Sequence, residues 1–151
     1  MNKRAEAKQI LLELQVPPAQ QSDVCCFALL ALAGMSNNSA WNQASNEWLR
    51  IHDIMSWTRK HYDVDYAENS RETFRKQAIH HFRNAAFIED NGKATNSPNY
   101  RYRLTDEMLA LLRSFGGEMW QQNKDKFTEE HESLISQYAS KKSMRKMPVK
   151  I

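Results

Sequence analysis

Residues that staple, loosen or break a chain are scarce here: 151 residues contain two cysteines, four glycines and four prolines. Cys25 and Cys26 are adjacent. Neighbouring cysteines can hardly reach disulfide geometry with each other, and no second pair exists for a metal site. Two buried thiols in a reducing compartment are therefore expected. The longest apolar run, Val24 to Ala33, is far shorter than the ~20 residues a membrane span needs. The opening "MNKRAEAKQ" is not followed by the apolar region of a signal peptide. These absences predict a cytoplasmic protein with no membrane partner. A strong excess of one charge is lacking too. At a formal net charge of +3, any argument for a nucleic-acid partner must rest on where the charge clusters.

What is present is helix-forming material, rich in Leu, Ala, Glu, Gln and Lys, in a chain long enough to bury one real core. Ala7, Ile10, Leu11 and Leu14 share a helical face, and Pro17-Pro18 ends that helix. Ser22 has the character of an N-cap for "DVCCFALLALA", and Gly34 supplies a left-handed stop. This second helix is apolar nearly all round, which predicts the buried centre of the domain. A turn-rich stretch with Trp41 as its large anchor follows, then a third helix over Trp48 to Tyr62 with Leu49, Ile51, Ile54, Met55 and Thr58 inward. "DVDYAE" breaks the pattern. Asn69 and Glu72 have capping-box spacing for a fourth helix, "NSRETFRKQAIHHF".

After Phe82 the period changes. "AAFIED" reads as a short strand, "NGKATNSPN" as a loop, and "YRYRL" as a strand with one apolar and one basic face. Thr105 caps "DEMLALLRSF", which stops at Gly116-Gly117. A last helix, about 118–140, carries Trp120, Phe127, Leu134 and Tyr138 at spacings near seven. That span is too short to argue a coiled coil, so packing along the domain or against a following one is expected. "PVKI" has the character of a strand start.

Helix, helix, break, helix, hairpin is the order of a winged helix-turn-helix, mainly α with a small β-hairpin. In that architecture the helix before the hairpin lies in the major groove and the hairpin is a wing on the backbone. At ~100° per residue, Phe74, Ala78, Ile79 and Phe82 face inward. Asn69, Thr73, Lys76, Gln77 and His80 face outward, Arg71 and Arg75 flank the boundary, and Ser70 and Arg83 stand at the two ends. Arg and Lys suit guanine, Gln77 adenine and Thr73 a thymine methyl; Glu72 suits either a cap or a cytosine amino group. On the wing, 87–104, Lys93, Arg101 and Arg103 are basic, while Thr95, Asn96, Ser97 and Asn99 offer short polar groups for phosphates. The same residues fit a solvated charged face, and winged helices also serve as protein-interaction modules.

Cleaving a phosphodiester with Mg2+ needs clustered carboxylates and, in many nucleases, a lysine beside them. Asp63 and Asp65, Glu89-Asp90, and Glu129, Glu130 and Glu132 form no spaced Asp…(Asp/Glu)-x-Lys pattern. His80 and His81 have no Cys/His cluster around them. No catalytic residue, metal site or cofactor is expected in this segment.

"IMSWTRKHYDVDYAENSRETFRKQAIHHF" followed by "TNSPNYRYRL" resembles the N-terminal helix-turn-helix domain of the BsuBI/PstI restriction endonucleases. "VPPAQQSDVCCFALLALAGM" and "ALLRSFG" extend the resemblance from about Val16 to Gly116. The resemblance implies a type II restriction enzyme whose N-terminal domain assists recognition of double-stranded DNA. A following nuclease domain in the same chain would carry a Mg2+-dependent site of the PD-(D/E)xK kind. The named members act as dimers, so a homodimer is an expectation for the parent enzyme. Departures at Lys93-Ala94, Ala78 and His81 leave the target sequence open. The division expected is a winged-helix domain at 1–116, a helix at 117–140 packing on it or bridging onward, and at 141–151 a linker or the start of the catalytic domain. Two other readings stand beside this one: a free-standing winged-helix transcriptional regulator using its last helix to dimerise, and an interaction module for an acidic protein.

Overall fold

A computed structural model describes residues 2–93 and 97–146, the side chains of 68 and 142–146 excepted. Thr95, Asn96 and the "PVKI" stretch therefore lie outside the described residues. Helix α1, Lys3–Glu13, starts at Asn2, whose side chain accepts the Ala5 amide at 2.8 Å, and it buries Ala7, Ile10 and Leu11. Helix α2, Asp23–Leu32, is capped by Ser22 and buries every residue after Asp23. It is the centre on which the rest packs, as its all-round apolar sequence dictates. Gly34 ends it at φ +67°, where an added Cβ would come within 2.7 Å of Ser45 Oγ, so glycine is required there on both counts.

Helix α3 runs over Ile51–Tyr62 and turns Ile54, Met55 and Thr58 inward. Its start is three residues later than the apolar spacing predicts. The Asp53 carboxylate accepts the Arg50 amide at 2.9 Å and also the Arg50 guanidinium, which fixes the cap. The hydrogen bond from Arg50 holds the Asp53 carboxyl below its ordinary value, against some desolvation. Leu49, expected in the helix, is instead bridged to Tyr102 by two backbone hydrogen bonds of 2.8 Å.

A turn of 3-10 helix at Glu68–Ser70 leads into an interrupted helix, made of α4 at Arg71–Phe74, a π turn at Arg75–Ile79 and α5 at His80–Asn84. Phe74, Ala78, Ile79 and Phe82 are all buried, as their spacing predicts. Strand β1, Ile88–Asp90, pairs antiparallel with β2, Tyr102–Leu104, in the register Ile88 to Leu104, Glu89 to Arg103 and Asp90 to Tyr102. β1 is shorter than "AAFIED" because Ala85 and Ala86 finish the preceding helix. Ala86 takes a left-handed φ of 59°, and the Phe87 amide returns to the Phe82 carbonyl. Thr105 caps α6, Asp106–Arg113, accepting from the Met108 amide and donating to the Ala86 carbonyl at 2.9 Å.

Helix α7, Trp120–Lys146, passes the end expected at 140 and lies along the domain. Trp120, Phe127 and Leu134 are buried. Trp120 Nε1 donates to Glu13 at 3.1 Å, and the Tyr138 hydroxyl donates to Glu107 at 2.7 Å. The His131 ring stacks on Phe87, with Nε2 placed 2.6 Å from the Ala85 carbonyl. The last helix is thereby joined to the end of the interrupted one.

The base of the hairpin holds the two buried carboxylates of Glu89 and Asp90. Asp90 is ion-paired with Arg83, whose side chain is 15% exposed. Glu89 accepts from Arg103 Nε at 3.1 Å, with Lys141 at 3.8 Å. Removing one partner of a buried pair leaves an uncompensated charge. Arg83→Met is expected to destabilise the fold by about 3 kcal/mol in urea unfolding, since breaking such pairs costs ~3–5 kcal/mol. The double replacement Arg83→Met with Asp90→Leu should recover most of that loss.

Candidate nucleic-acid interface

The outward side of the interrupted helix is built from consecutive residues. Arg75, Lys76 and Gln77 are all exposed, as are Arg71, Glu72 and His80, while Thr73 is half-buried. The π turn produces this grouping. There the His80 amide returns to the Arg75 carbonyl, five residues back, where an α-helix would return four. Asn69 and Ser70 stand one turn earlier, in the 3-10 segment. The capping box expected between Asn69 and Glu72 does not form: Ser70 is the N-cap, and no side-chain bond closes it. Glu72 pairs instead with Arg75, one of its oxygens 2.7 Å from the guanidinium. Three residues apart on a helix, the two are surface neighbours.

The wing loop is organised by Asn91. Its Oδ1 accepts the Arg101 amide at 3.2 Å and the Lys93 amide at 3.3 Å, and its Nδ2 donates to the Asn99 carbonyl at 2.6 Å. Gly92 takes φ 78°, and its amide donates to Asp90 at 2.7 Å. The Asn-Gly pair was legible in the sequence as a turn; the part Asn91 plays was not. The Arg101 guanidinium folds back onto the Pro98 carbonyl at 2.7 Å. Lys93 and Asn99 are exposed, and Ser97 accepts the Asn99 amide at 3.1 Å.

Between helix and wing lies a cleft of about 370 Å³, lined by Arg75, Lys76, Ile79, His80, Arg83, Tyr100 and Tyr102. The two tyrosine rings meet edge to face at 4.9 Å. Burial pushes the Tyr102 phenol far up, with Tyr100 adding to the effect, so it stays neutral. His80 is 3.2 Å from the Asn84 amide. The cleft thus joins Arg75, Lys76 and His80 of the helix to Tyr100 of the wing, a residue whose strand spacing reads more readily as core. Arg83 reaches the cleft wall but its charge is spent on Asp90.

Arg103 is likewise engaged, between Glu89 and the face of Trp48, 4.4 Å from the ring centroid. The apolar spacing puts Trp48 in the third helix, not beside the wing. Its signal is the three residues Trp48 to Arg50, which precede the Asp53 cap and therefore precede the helix. Among the described residues no group of three His, Cys, Asp or Glu side chains could hold a metal. No described helix is long and apolar enough to cross a membrane.

The model of the BsuBI/PstI restriction endonuclease HTH domain matches residues 1–136. The type II restriction enzyme BsuBI of Bacillus subtilis is 31% identical over 150 residues, covering 97% of this chain and 48% of that enzyme. The type II restriction enzyme AplI of Arthrospira platensis is 26% identical over 149 residues, covering 97% and 46%. The solved structure of SdaI restriction endonuclease superimposes with a TM-score of 0.80 at 25% identity, over 91% of this chain and 44% of that one. The chain spans about half the length of the curated relatives it matches. Mainly helical, with its two-stranded wing behind the interrupted helix, the chain belongs to the BsuBI/PstI restriction endonuclease HTH domain family.

Proposed function

We propose that residues 71–84 enter the major groove of double-stranded DNA and read its sequence, with the wing at 88–104 against the phosphate backbone. The observation that carries this reading is the run of exposed Arg75, Lys76 and Gln77, the first two lining a basic, tyrosine-walled cleft. A planar guanidinium matches guanine O6 and N7, and a carboxamide matches adenine N6 and N7. Arg75 and Gln77 take these parts, and Thr73 offers its methyl to thymine. Arg71, Lys76 and His80 meet phosphates or guanine edges; Asn69 and Ser70, ahead of the first helical turn, suit phosphate oxygens. On the wing, Lys93, Ser97, Asn99 and Arg101 face the backbone. Arg83 and Arg103 act at one remove, by fixing the wing on the helix.

The parent protein is proposed to be a type II restriction endonuclease. Its catalysis would belong to a nuclease domain in the same chain, outside these residues, acting as a homodimer on two half-sites. Mg2+ fits that domain and not this one, whose described residues bring no carboxylate cluster together. Cytoplasmic localisation is proposed with it, where the DNA substrate is met.

Affinity for a duplex should fall with salt by roughly 0.9 log units per log salt for each phosphate neutralised. Lys76→Ala should lower that slope by about one unit and weaken all sequences alike, as loss of a phosphate contact does. Gln77→Ala should leave the slope unchanged and cost about 1–3 kcal/mol at one base position. Fluorescence anisotropy over a salt series measures both. Absent or salt-independent duplex binding at low ionic strength would sink the reading.

A further inference from the structure

Cys25 sits in the first turn of α2, fully buried, and takes no part in the contacts assigned above. Its sulfur lies 3.0 Å from the backbone carbonyl of Gln77, across the packed face between α2 and the π turn. A carbonyl only accepts, so the thiol donates. On the other side the Ser22 hydroxyl lies 3.4 Å from the same sulfur, which makes a short relay from the cap of α2 into the interrupted helix. Burial pushes the Cys25 thiol up, so it keeps its proton at neutral pH. Cys26 is equally buried, but its sulfur approaches the Gln21 carbonyl, at 3.8 Å.

The acceptor is placed where it matters. A π turn is one extra residue held within an α-helix, and relaxing it re-registers every side chain on one side of it. The wider turn also advances each residue through a smaller angle. Arg75, Lys76 and Gln77 therefore fan over a narrower arc than three consecutive residues of an α-helix, with Ala78 and Ile79 both turned inward behind them. A donor fixed in the core and aimed at a carbonyl inside this turn pins its register.

We propose that Cys25 is a positioning residue for sequence recognition: its thiol, bonded to the Gln77 carbonyl, holds the π turn that presents Arg75, Lys76 and Gln77 to the same groove. This rests on the reading of residues 71–84 as the base-reading helix. It goes further in assigning discrimination between sequences, as distinct from affinity, partly to a side chain that never meets DNA.

The test enriches duplexes from a random-core pool on the wild-type chain, then compares affinity for the enriched duplex with affinity for the pool. C25A should lower that ratio roughly fivefold to tenfold, the low end of one displaced base contact. Pool affinity and its salt slope should change by no more than Lys76→Ala changes them, because the phosphate contacts outside the π turn are untouched. C25S keeps a donor and should recover most of the ratio. C26A, which opens a comparable gap in the same helix, should leave it unchanged. If C25A does not fold, Cys25→Val, of similar size and without a donor, takes its place. A donorless variant with the wild-type ratio, a serine variant no better than alanine, or a C26A variant losing as much overturns the proposal. A wild-type chain that enriches nothing removes this inference and the recognition reading together; a discriminating wild type with a C25A variant to match removes this inference alone.

Discussion

Two consecutive carboxylates, Glu89 and Asp90, are buried at the base of the wing, and the placement of the wing depends on what answers them. Side chains of adjacent strand residues point to opposite faces, so no single cation can serve both. Asp90 turns toward the interrupted helix and takes Arg83; Glu89 turns to the other face and takes Arg103, with Lys141 of α7 nearby. Each charge is costly in the interior unless paired. The wing can therefore pack in one place only, where the end of the helix, the partner strand and α7 all meet it. The cleft between helix and wing exists because this angle is fixed.

The pairing sorts the cations into two groups. Arg83 and Arg103 are held, the first by Asp90 and the second between Glu89 and the Trp48 face. Lys76 stands exposed at the cleft, and Lys93 exposed on the wing loop. The pairs Arg83 with Asp90 and Arg103 with Glu89 cancel within themselves, so the net charge of +3 is carried by the remaining residues, these exposed lysines among them. The isolated bridge between Leu49 and Tyr102 adds to the same end. It places a third segment beside the two-stranded hairpin, which alone would be marginal, and sets Trp48 where Arg103 can stack.

How much of this was legible follows from the range of each interaction. The inner stripe Phe74, Ala78, Ile79 and Phe82, the caps at Ser22 and Thr105, and the stop at Gly34 are local signals, and the structure bears them out. The hairpin and its order after the helix were legible from the switch of period. The π turn was not, because a stripe of two adjacent apolar residues between two phenylalanines satisfies either helix. The start of α3 was misplaced because Trp48 and Leu49 also fit a helical face; only the strand partner, 53 residues on, decides against it. Arg83 with Asp90 and Arg103 with Glu89 are spaced seven and fourteen residues apart, and no local rule links such positions. Glu72 was undecided between cap and base, and Arg75, three residues on, claims it.

That last pair bears on how a reading face of this kind divides affinity from specificity. Arg75 is not an idle cation awaiting a phosphate; its guanidinium already has a carboxylate in place at the surface. An exposed pair is worth only ~0.2–1 kcal/mol, so it is easily exchanged, yet any DNA group that displaces Glu72 must offer at least as good a geometry. A guanine edge, with two acceptors matching the guanidinium fork, does so; a wrong base leaves the arginine with its own carboxylate and brings Glu72 against the negative duplex. On the proposed reading, the same residue that weakens general attraction to DNA therefore sharpens the difference between one sequence and another. If Arg75 reads a base as proposed, the acidic side chain is part of the discrimination, alongside the basic ones.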